Sequence, residues 1–257
     1  MYDVSSSIVL YNNDPVVLKN TIISFLSTNL NVSLFLFDNS ESDDLRHLIS
    51  DNRVFYHFNN KNIGFGSGHN FAIKFYLGKS KYHLVLNPDI YFDGGTLASI
   101  FSFMNADSSI GLLMPKIKYP NGDLQYLCKN NPTPFILFAR RFLTLGIFRP
   151  LLNRINYSYE MRNLNYDSII YDIPYLSGCF MFFNSQVFKT VGFFDEKIFM
   201  YIEDADITRR VLSKFKTVYF PGAEVYHYFE KGSHKKFKLM VYSIKGAIVY
   251  FNKWGWF

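Results

Sequence analysis

Cysteine is scarce in this sequence, and long hydrophobic runs are absent. Two cysteines, Cys128 and Cys179, are too few for a disulfide framework or a zinc ribbon, and they suit a reducing compartment. No run of about 18 uncharged apolar residues occurs, because the best candidate, Phe135–Leu152, is interrupted by arginines. The N-terminus lacks the basic and apolar regions of a signal peptide. We therefore expect a cytoplasmic protein without a membrane-spanning helix.

A net positive charge is also missing from most of the chain. Residues 1–208 contain 17 Lys or Arg and 19 Asp or Glu, whereas residues 209–257 contain 10 and 2. A second basic stretch, between Asp123 and Glu160, has no acidic residue. No nucleic-acid recognition motif accompanies these residues, so we expect no nucleic-acid partner. Basic residues mixed with Phe, Trp and Leu favour an anionic membrane surface.

Aromatic residues are abundant. The 257 residues include 28 Phe, 19 Tyr and 2 Trp, which is 19% of the chain. With 49% apolar and 19% charged residues, the composition is typical of one globular unit and excludes a disordered chain. So many rings indicate more apolar surface than one core needs, and the excess favours contact with a membrane or a partner.

Apolar runs with strand spacing alternate with helical patterns. The alternation predicts an α/β fold with a mostly parallel, doubly wound sheet. The predicted strands are Ser7–Tyr11, Val32–Phe37, Val54–Phe58 and His83–Leu86, and the predicted helices are Val16–Leu30, Leu45–Ile49 and Phe71–Leu77.

Polar clusters follow the predicted strands, at residues 11–14, 38–40, 59–70 and 87–89. Ligands of open α/β sheets bind beyond the carboxyl ends of the strands, which is where these clusters fall. The alternative is that they are ordinary βα turns, which also favour Asn, Asp, Gly and Pro.

Two of these clusters have the chemistry of a phosphate or metal site. Gly64, Gly66 and Gly68 precede a predicted helix, although they match neither the dinucleotide fingerprint nor the P-loop. Asn87-Pro88-Asp89 ends a strand with one carboxylate, which can hold a divalent cation together with a nucleotide diphosphate. The same tripeptide also makes a good turn.

An acidic cluster, Glu203, Asp204 and Asp206, lies at a predicted helix start before Arg209 and Arg210. One interpretation is helix capping and an i, i+3 or i, i+4 ion pair. The other is a catalytic base that deprotonates an acceptor hydroxyl. A lone histidine, 23 residues beyond Asp204, is either structural or a second metal ligand beside the strand-end acid.

These motifs together resemble the family 2 glycosyltransferases of GT-A fold, in the branch of the bacterial rhamnosyltransferases. The likeness runs from Ser7 to Tyr228. The residues that carry it are Ile8–Asn12, Asp38-Asn39-Ser40, Asn62–Gly66 with Asn70, Leu86–Asp89, Ser177–Met181, Gly192–Glu196, Phe199–Asp206 with Arg209, and His227.

The resemblance implies a role for each of several residues. Asp204 is the implied general base, supported by Glu203 and Asp206, and Asp89 with His227 holds Mg²⁺ or Mn²⁺. Asn87 stands where the family's Asp-x-Asp motif has its first acid, which weakens the metal prediction. Gly178 and Asp195 belong to the acceptor side. The implied nucleotide-sugar-binding residues are Tyr11, Asn12, Asp38, Asn62, Gly64, Asn70, Asn87, Asp89 and Arg209.

The resemblance also implies a reaction. It is the transfer, with inversion, of L-rhamnose from dTDP-rhamnose to a polyprenyl-diphosphate-linked saccharide, in O-antigen or cell-wall synthesis at the inner membrane face. Residues 1–230 form the GT-A domain, and residues 231–257 form a basic, aromatic, amphipathic helical segment that packs on the domain or leans on the membrane. Alternatives are a galactofuranose, glucose or N-acetylhexosamine donor, a non-catalytic assembly partner, a nucleotide-binding oxidoreductase, and a homodimer contact at the basic segment.

Overall fold

The computed structural model describes residues 1–48, 50–143, 146–228 and 237–256. Its strands are β1 Tyr2–Leu10, β2 Val32–Asp38, β3 Val54–Phe58, β4 Ser80–Leu86, β5 Ile90–Tyr91, β6 Ile110–Lys118, β7 Cys128–Lys129, β8 Ile170–Tyr171, β9 Tyr175–Leu176, β10 Phe180–Asn184 and β11 Lys216–His227. Its helices are α1 Pro15–Leu26, α2 Phe65–Tyr76, α3 Thr96–Ala106, α4 Pro134–Phe142, α5 Arg149–Tyr159, α6 Val187–Val191, α7 Glu203–Leu212 and α8 Phe237–Trp254, with a 3₁₀ turn at Gly146–Phe148.

One large mixed sheet organises the fold. Its order is β3-β2-β1-β4-β10-β6-β11-β5, with β8 added beside β11. Strands β1, β2, β3, β4, β6 and β11 run in one direction, and β10 runs antiparallel between β4 and β6. A mostly parallel α/β sheet was predicted, and this architecture confirms it.

The sequences of the interior strands are continuous apolar runs, and burial on both faces explains this pattern. All seven residues of β2, from Val32 to Asp38, are buried, because other strands flank it and helices cover it. Strands covered on both faces lose the alternating pattern of a half-exposed strand. The main core cluster spans both halves of the sheet, with Ile8, Leu84, Phe182 and Val218 among its fully buried members.

Three helix predictions differ from the structure. Helix α1 ends at Leu26 rather than at Leu30, and residues 45–48 form turns rather than a helix, while Ile49 lies outside the described residues. Helix α2 begins at Phe65, six residues before the predicted start, because Gly66 and Gly68 belong to the helix. Cβ atoms on these glycines would lie 2.9 Å from Phe194 and 2.7 Å from a valine of β1, so they permit close packing.

A C-terminal helix, α8, packs against the segment that precedes α7. Gly246 faces this segment, since a Cβ there would lie 3.0 Å from the Tyr201 carbonyl oxygen. The Phe199 and Tyr242 rings stack at 4.1 Å. The predicted boundary at residue 230 falls within residues 229–236, outside the described part of the chain. Among the described helices, none is long and apolar enough to cross a membrane.

Candidate active site

Several of the predicted site residues lie at one edge of the sheet. Strands β1, β2, β4 and β11 run in the same direction, so the residues that end them lie along the same edge. Strand β10 runs the opposite way and begins there, with Phe180 paired to Leu86. The Asn87 N–H donates to the Cys179 carbonyl at 2.9 Å. This edge therefore joins the ends of β4 and β11 to the Gly178-Cys179 turn.

Asp38 lies at this edge of the sheet. It ends β2, is fully buried, and accepts hydrogen bonds from the Ser40 N–H at 2.8 Å and from the Tyr56 hydroxyl. Burial first, and then the adjacent carboxylate, raises the pKa of Tyr56. Asn12 adopts φ +53° and donates its N–H to the Ser40 hydroxyl at 2.9 Å, while Tyr11 is 47% exposed. The carboxylate is thus held in place beside an exposed ring.

The glycine-rich segment contacts the residues that precede helix α7. Asn62 accepts the Gly64 N–H at 3.0 Å, and Phe65 donates its N–H to the Phe199 carbonyl at 3.0 Å. Gly64 has φ +93°, and a Cβ there would lie 2.3 Å from that carbonyl oxygen, so glycine is required. The end of β3 is thereby tied to the residues that lead into α7.

Two predicted donor-binding residues make structural contacts within the chain. The buried Asn70 amide donates to the Phe194 carbonyl and to Glu196, and its oxygen accepts the Phe194 N–H at 2.9 Å. Arg209 lies over the Trp254 ring at 4.4 Å and donates to the Tyr250 hydroxyl at 3.3 Å. The first holds the loop before α7, and the second faces helix α8.

Asp89 and His227 form the predicted metal pair. His227 Nε2 lies 3.3 Å from Asp89 Oδ1, a buried oxygen that accepts no hydrogen bond from the described residues. Gln125 fixes the imidazole: its Oε1 lies 3.0 Å from Nδ1, and its amide donates to the His227 carbonyl at 2.9 Å. A ring held through Nδ1 directs Nε2 toward the carboxylate, as in metal-binding histidines.

The donor chemistry of this pair fits a divalent cation. A carboxylate oxygen and an imidazole nitrogen suit Mn²⁺, and donor phosphates with water complete such sites. The residues that the structure describes contain no group of three or more His, Cys, Asp or Glu able to hold a metal on their own. Burial lowers the pKa of His227, but Cys179 and Asp89 outweigh burial and raise it to about 10. Protonation of an imidazole competes with metal binding.

Asp204 faces the turn that precedes β10. Its carboxylate accepts the Gly178 N–H at 2.8 Å and the Tyr175 hydroxyl at 3.0 Å, and it remains partly exposed. Tyr201 and Ile202, just before the helix, have φ +69° and +73°. Consecutive non-glycine residues in this region store backbone strain, which is common at functional sites. The chain thus accepts a strained entry into α7 beside this carboxylate.

Glu203 and Lys129 flank Asp204 with different chemistry. Glu203 is buried, and its Oε2 has no hydrogen-bond partner in the described part of the chain. Burial, followed by the charge of Asp204, raises the pKa of Glu203 well above its usual value. The Lys129 ammonium lies 4.5 Å from the centre of the Tyr175 ring, and burial lowers its pKa although Asp204 opposes this. Glu203 therefore holds its proton more strongly than a free carboxyl does, and a lysine lies over the ring whose hydroxyl binds Asp204.

Asp206 points away from Asp204. It is fully buried, and it accepts hydrogen bonds from Arg210 at 2.9 Å and from Lys253 and Trp254 at 2.8 Å each. Asp195, expected on the acceptor side, lies 3.7 Å from Lys253. Asp206 therefore attaches α8 to α7, and its carboxylate has no exposed surface for a substrate.

Sequence reasoning missed several residues of this site. Gln125 and Tyr175 orient His227 and Asp204, and Lys129 lies next to the latter. Of these three residues, the sequence indicated only Lys129, as part of a basic stretch. The other contacts join residues 102 and 29 positions apart in the chain. Such contacts depend on the tertiary fold and leave no local pattern.

Comparisons with known proteins relate this chain to glycosyltransferases. A family model described as "Glycosyl transferase family 2" matches residues 5–192. The chain is 28% identical over 146 residues to the N-acetylglucosaminyl-diphospho-decaprenol L-rhamnosyltransferase of Mycobacterium tuberculosis, covering 56% of this chain and 46% of that protein. It is 24% identical over 175 residues to the low-salt glycan biosynthesis hexosyltransferase Agl10 of Haloferax volcanii, covering 67% and 51%. The chain thus spans about half the length of these relatives.

A solved structure shares the fold. The crystal structure of GalNAc-T7 with UDP, GalNAc and Mn²⁺ superposes with a TM-score of 0.66 over 90% of this chain and 44% of that one, at 15% sequence identity. At this identity, the match concerns the fold alone.

Proposed function

Because the chain belongs to glycosyl transferase family 2, we propose that it transfers L-rhamnose from dTDP-rhamnose to a polyprenyl-diphosphate-linked saccharide. The observation that carries the proposal is the position of Asp204, a partly exposed carboxylate held by Gly178 and Tyr175. The name of the mycobacterial relative supports both the rhamnosyl donor and the prenyl-diphosphate acceptor. The product would enter a bacterial surface polysaccharide, O-antigen or cell wall.

The proposed mechanism is a single displacement with inversion at the anomeric carbon. Asp38 and its neighbours bind the nucleoside, and Asp204 accepts the proton of the attacking acceptor hydroxyl. The Gly178 N–H and the Tyr175 hydroxyl orient that carboxylate. Mg²⁺ or Mn²⁺, when bound by Asp89 and His227, would neutralise charge that develops on the departing diphosphate. Glu203 adds little negative charge beside the base, because its raised pKa favours the neutral form.

Transfer assays with a panel of donors test the proposal. Purified protein is given dTDP-rhamnose or another nucleotide sugar, with an N-acetylglucosaminyl-diphospho-lipid acceptor, in Mn²⁺ or in EDTA. We expect product from dTDP-rhamnose in Mn²⁺ and none in EDTA. Full activity in the chelator would remove Asp89 and His227 from the mechanism, and no product from any donor would contradict the proposed function.

A second donor class has support of its own. The archaeal relative is called a hexosyltransferase, so glucose, N-acetylhexosamine and galactofuranose donors belong in the same panel. Product from a hexose donor, with none from dTDP-rhamnose, would change the substrate and leave the roles of Asp204 and Asp38 unaltered.

The proposed site of action is the inner face of the cell membrane. Helices α4, α5 and α8 contain basic residues and exposed rings, including Phe135, Phe142 and Phe237, which are 59%, 51% and 76% exposed. Rings at headgroup depth and cations beside anionic lipid support peripheral binding. Sedimentation with anionic and with neutral vesicles tests this, and we expect salt-sensitive binding to the anionic vesicles alone.

A further inference from the structure

A groove of about 370 Å³ separates helix α4 from helix α8. Apolar side chains of both helices line it, among them Phe138, Ile244 and Ile248. These three are 55%, 47% and 43% exposed, although each lies beside other apolar groups. A concave apolar surface of this kind is typical of a binding site for an apolar ligand.

The described residues that line the groove include two cations and no acid, and one of the cations, Arg140, also pairs with Glu160 at 2.8 Å. Arg140 and Arg141 are the charged residues of its described lining. Helices α4, α5 and α8 together contain seven Lys or Arg and no Asp or Glu. An apolar groove bordered by cations complements a hydrocarbon chain that ends in an anionic group. An apolar peptide without acidic residues would leave these cations without a complementary charge.

The groove also leads toward the candidate catalytic base. Tyr201 lines it and, together with Ile202, forms the strained entry into helix α7. At the α4 side, Arg140 lies 4.9 Å from the centre of the Tyr159 ring, which shares a buried cluster with Tyr175. Lys129 lies 4.5 Å from the centre of the Tyr175 ring, and the hydroxyl of that ring donates to Asp204 at 3.0 Å. Cations thus extend from the groove toward the carboxylate that is positioned to accept the acceptor proton.

We propose that this groove binds the hydrocarbon chain of a lipid diphosphate acceptor, with the diphosphate beside Arg140 and Lys129 and the acceptor sugar at Asp204. The inference rests on the proposed function, because the groove ligand and the acceptor are one molecule. Each methylene that enters the groove strengthens binding about fourfold. Affinity therefore rises with chain length until the groove is filled.

A binding experiment without donor tests the groove separately from transfer. The probes are farnesyl diphosphate, the shorter geranyl diphosphate and inorganic diphosphate, and calorimetry gives each dissociation constant. Ile248→Gln should weaken farnesyl diphosphate binding about tenfold, because one apolar contact is lost. The matched control is Ile23→Gln, which alters an isoleucine of helix α1 that is 48% exposed. Unchanged binding by Ile248→Gln, or equal affinity for inorganic diphosphate, would overturn the inference.

Transfer assays supply the second readout. Ile248→Gln should raise KM about tenfold for a long-chain acceptor, and it should leave kcat and the KM for a short-chain acceptor unchanged. Absence of transfer to either acceptor, with farnesyl diphosphate still bound, would contradict the proposed function alone. Equal KM changes for both acceptors would contradict the groove.

Other occupants would give different results. Displacement of farnesyl diphosphate by phosphatidylglycerol vesicles at equal lipid concentration would identify an ordinary membrane lipid as the ligand and overturn the inference. A dimer in sedimentation that Ile248→Gln dissociates, without farnesyl diphosphate binding, would identify a second copy of this chain.

Discussion

Asp204 and Asp206 lie two residues apart on helix α7, and their surroundings differ completely. Asp204 is partly exposed and is held by Gly178 and Tyr175 at the sheet edge. Asp206 is fully buried and is bound by a cation of its own helix and by Lys253 and Trp254 of α8. Residues two apart on a helix point about 200° away from each other. The acidic motif therefore gives helix α7 two faces: the face of Asp204 lies at the candidate site and is here called the chemical face, and the face of Asp206 binds helix α8 and is here called the anchoring face.

The largest expected difference is in catalysis. Asp204→Asn keeps the size of the side chain but removes the base, so transfer should slow by about 10²–10⁴-fold. Donor affinity should change little, because the proposed mechanism assigns nucleotide binding to Asp38 and its neighbours. Steady-state kinetics and donor titration measure the two effects. A wild-type rate would exclude Asp204 as the base.

Asp206→Asn should act on stability instead. The substitution leaves Arg210 and Lys253 without their buried partner, and it should lower the unfolding free energy by about 3 kcal/mol, since both cations retain some access to water. Urea denaturation measures it. Asp195→Asn is the control, because Asp195 contacts the same lysine at 3.7 Å near the surface and should cost less than about 1 kcal/mol. Equal losses in the two variants would refute the anchoring role.

Gly64→Ala tests the contact that supports the entry to helix α7. The new methyl group would meet the Phe199 carbonyl oxygen at 2.3 Å, so the contact between the glycine segment and the entry to α7 must open. Gly78→Ala has a similar positive φ, +77°, but open space around it. We expect Gly64→Ala to cost about 2 kcal/mol more than Gly78→Ala and to lower transfer as well. Equal stabilities would show that the contact yields freely.

The smallest expected effect concerns Glu203. Its folded pKa is raised above the unfolded value, so the stability that it contributes is complete below about pH 4.5 and is lost as pH rises toward the folded pKa. Glu203→Gln should therefore reduce the fall in unfolding free energy between pH 5 and pH 8 by about 1 kcal/mol. Denaturation at both pH values, with Glu41→Gln as an exposed control, measures this. Parallel pH dependence in variant and wild type would contradict a neutral Glu203.

The fold and family could be predicted because local patterns encode them. Continuous apolar runs such as Val32–Phe37 marked the strands, and the ordered motifs indicated the family whose model matches residues 5–192. The start of α2 could not be predicted. Its glycines suggest a loop locally, whereas in the fold Phe194 packs against Gly66 and Val9 packs against Gly68, both from distant parts of the chain.

The same distinction applies to the site. Asp204 and Asp206 belong to one motif, and only the packing of α8 reveals that the second is buried in an anchoring contact. Gln125 left no signal, because its partner His227 is 102 residues away. Side-chain direction and long-range contacts separate residues that a motif groups together.

The most direct test of this division compares both α7 variants in one transfer assay. Asp204→Asn and Asp206→Asn are assayed at a low temperature at which circular dichroism shows both to be folded. We expect Asp206→Asn to retain a transfer rate within about fivefold of wild type, whereas the transfer rate of Asp204→Asn should fall by at least about 10²-fold. Equal losses in the two folded variants would contradict the division of helix α7 into a chemical face and an anchoring face.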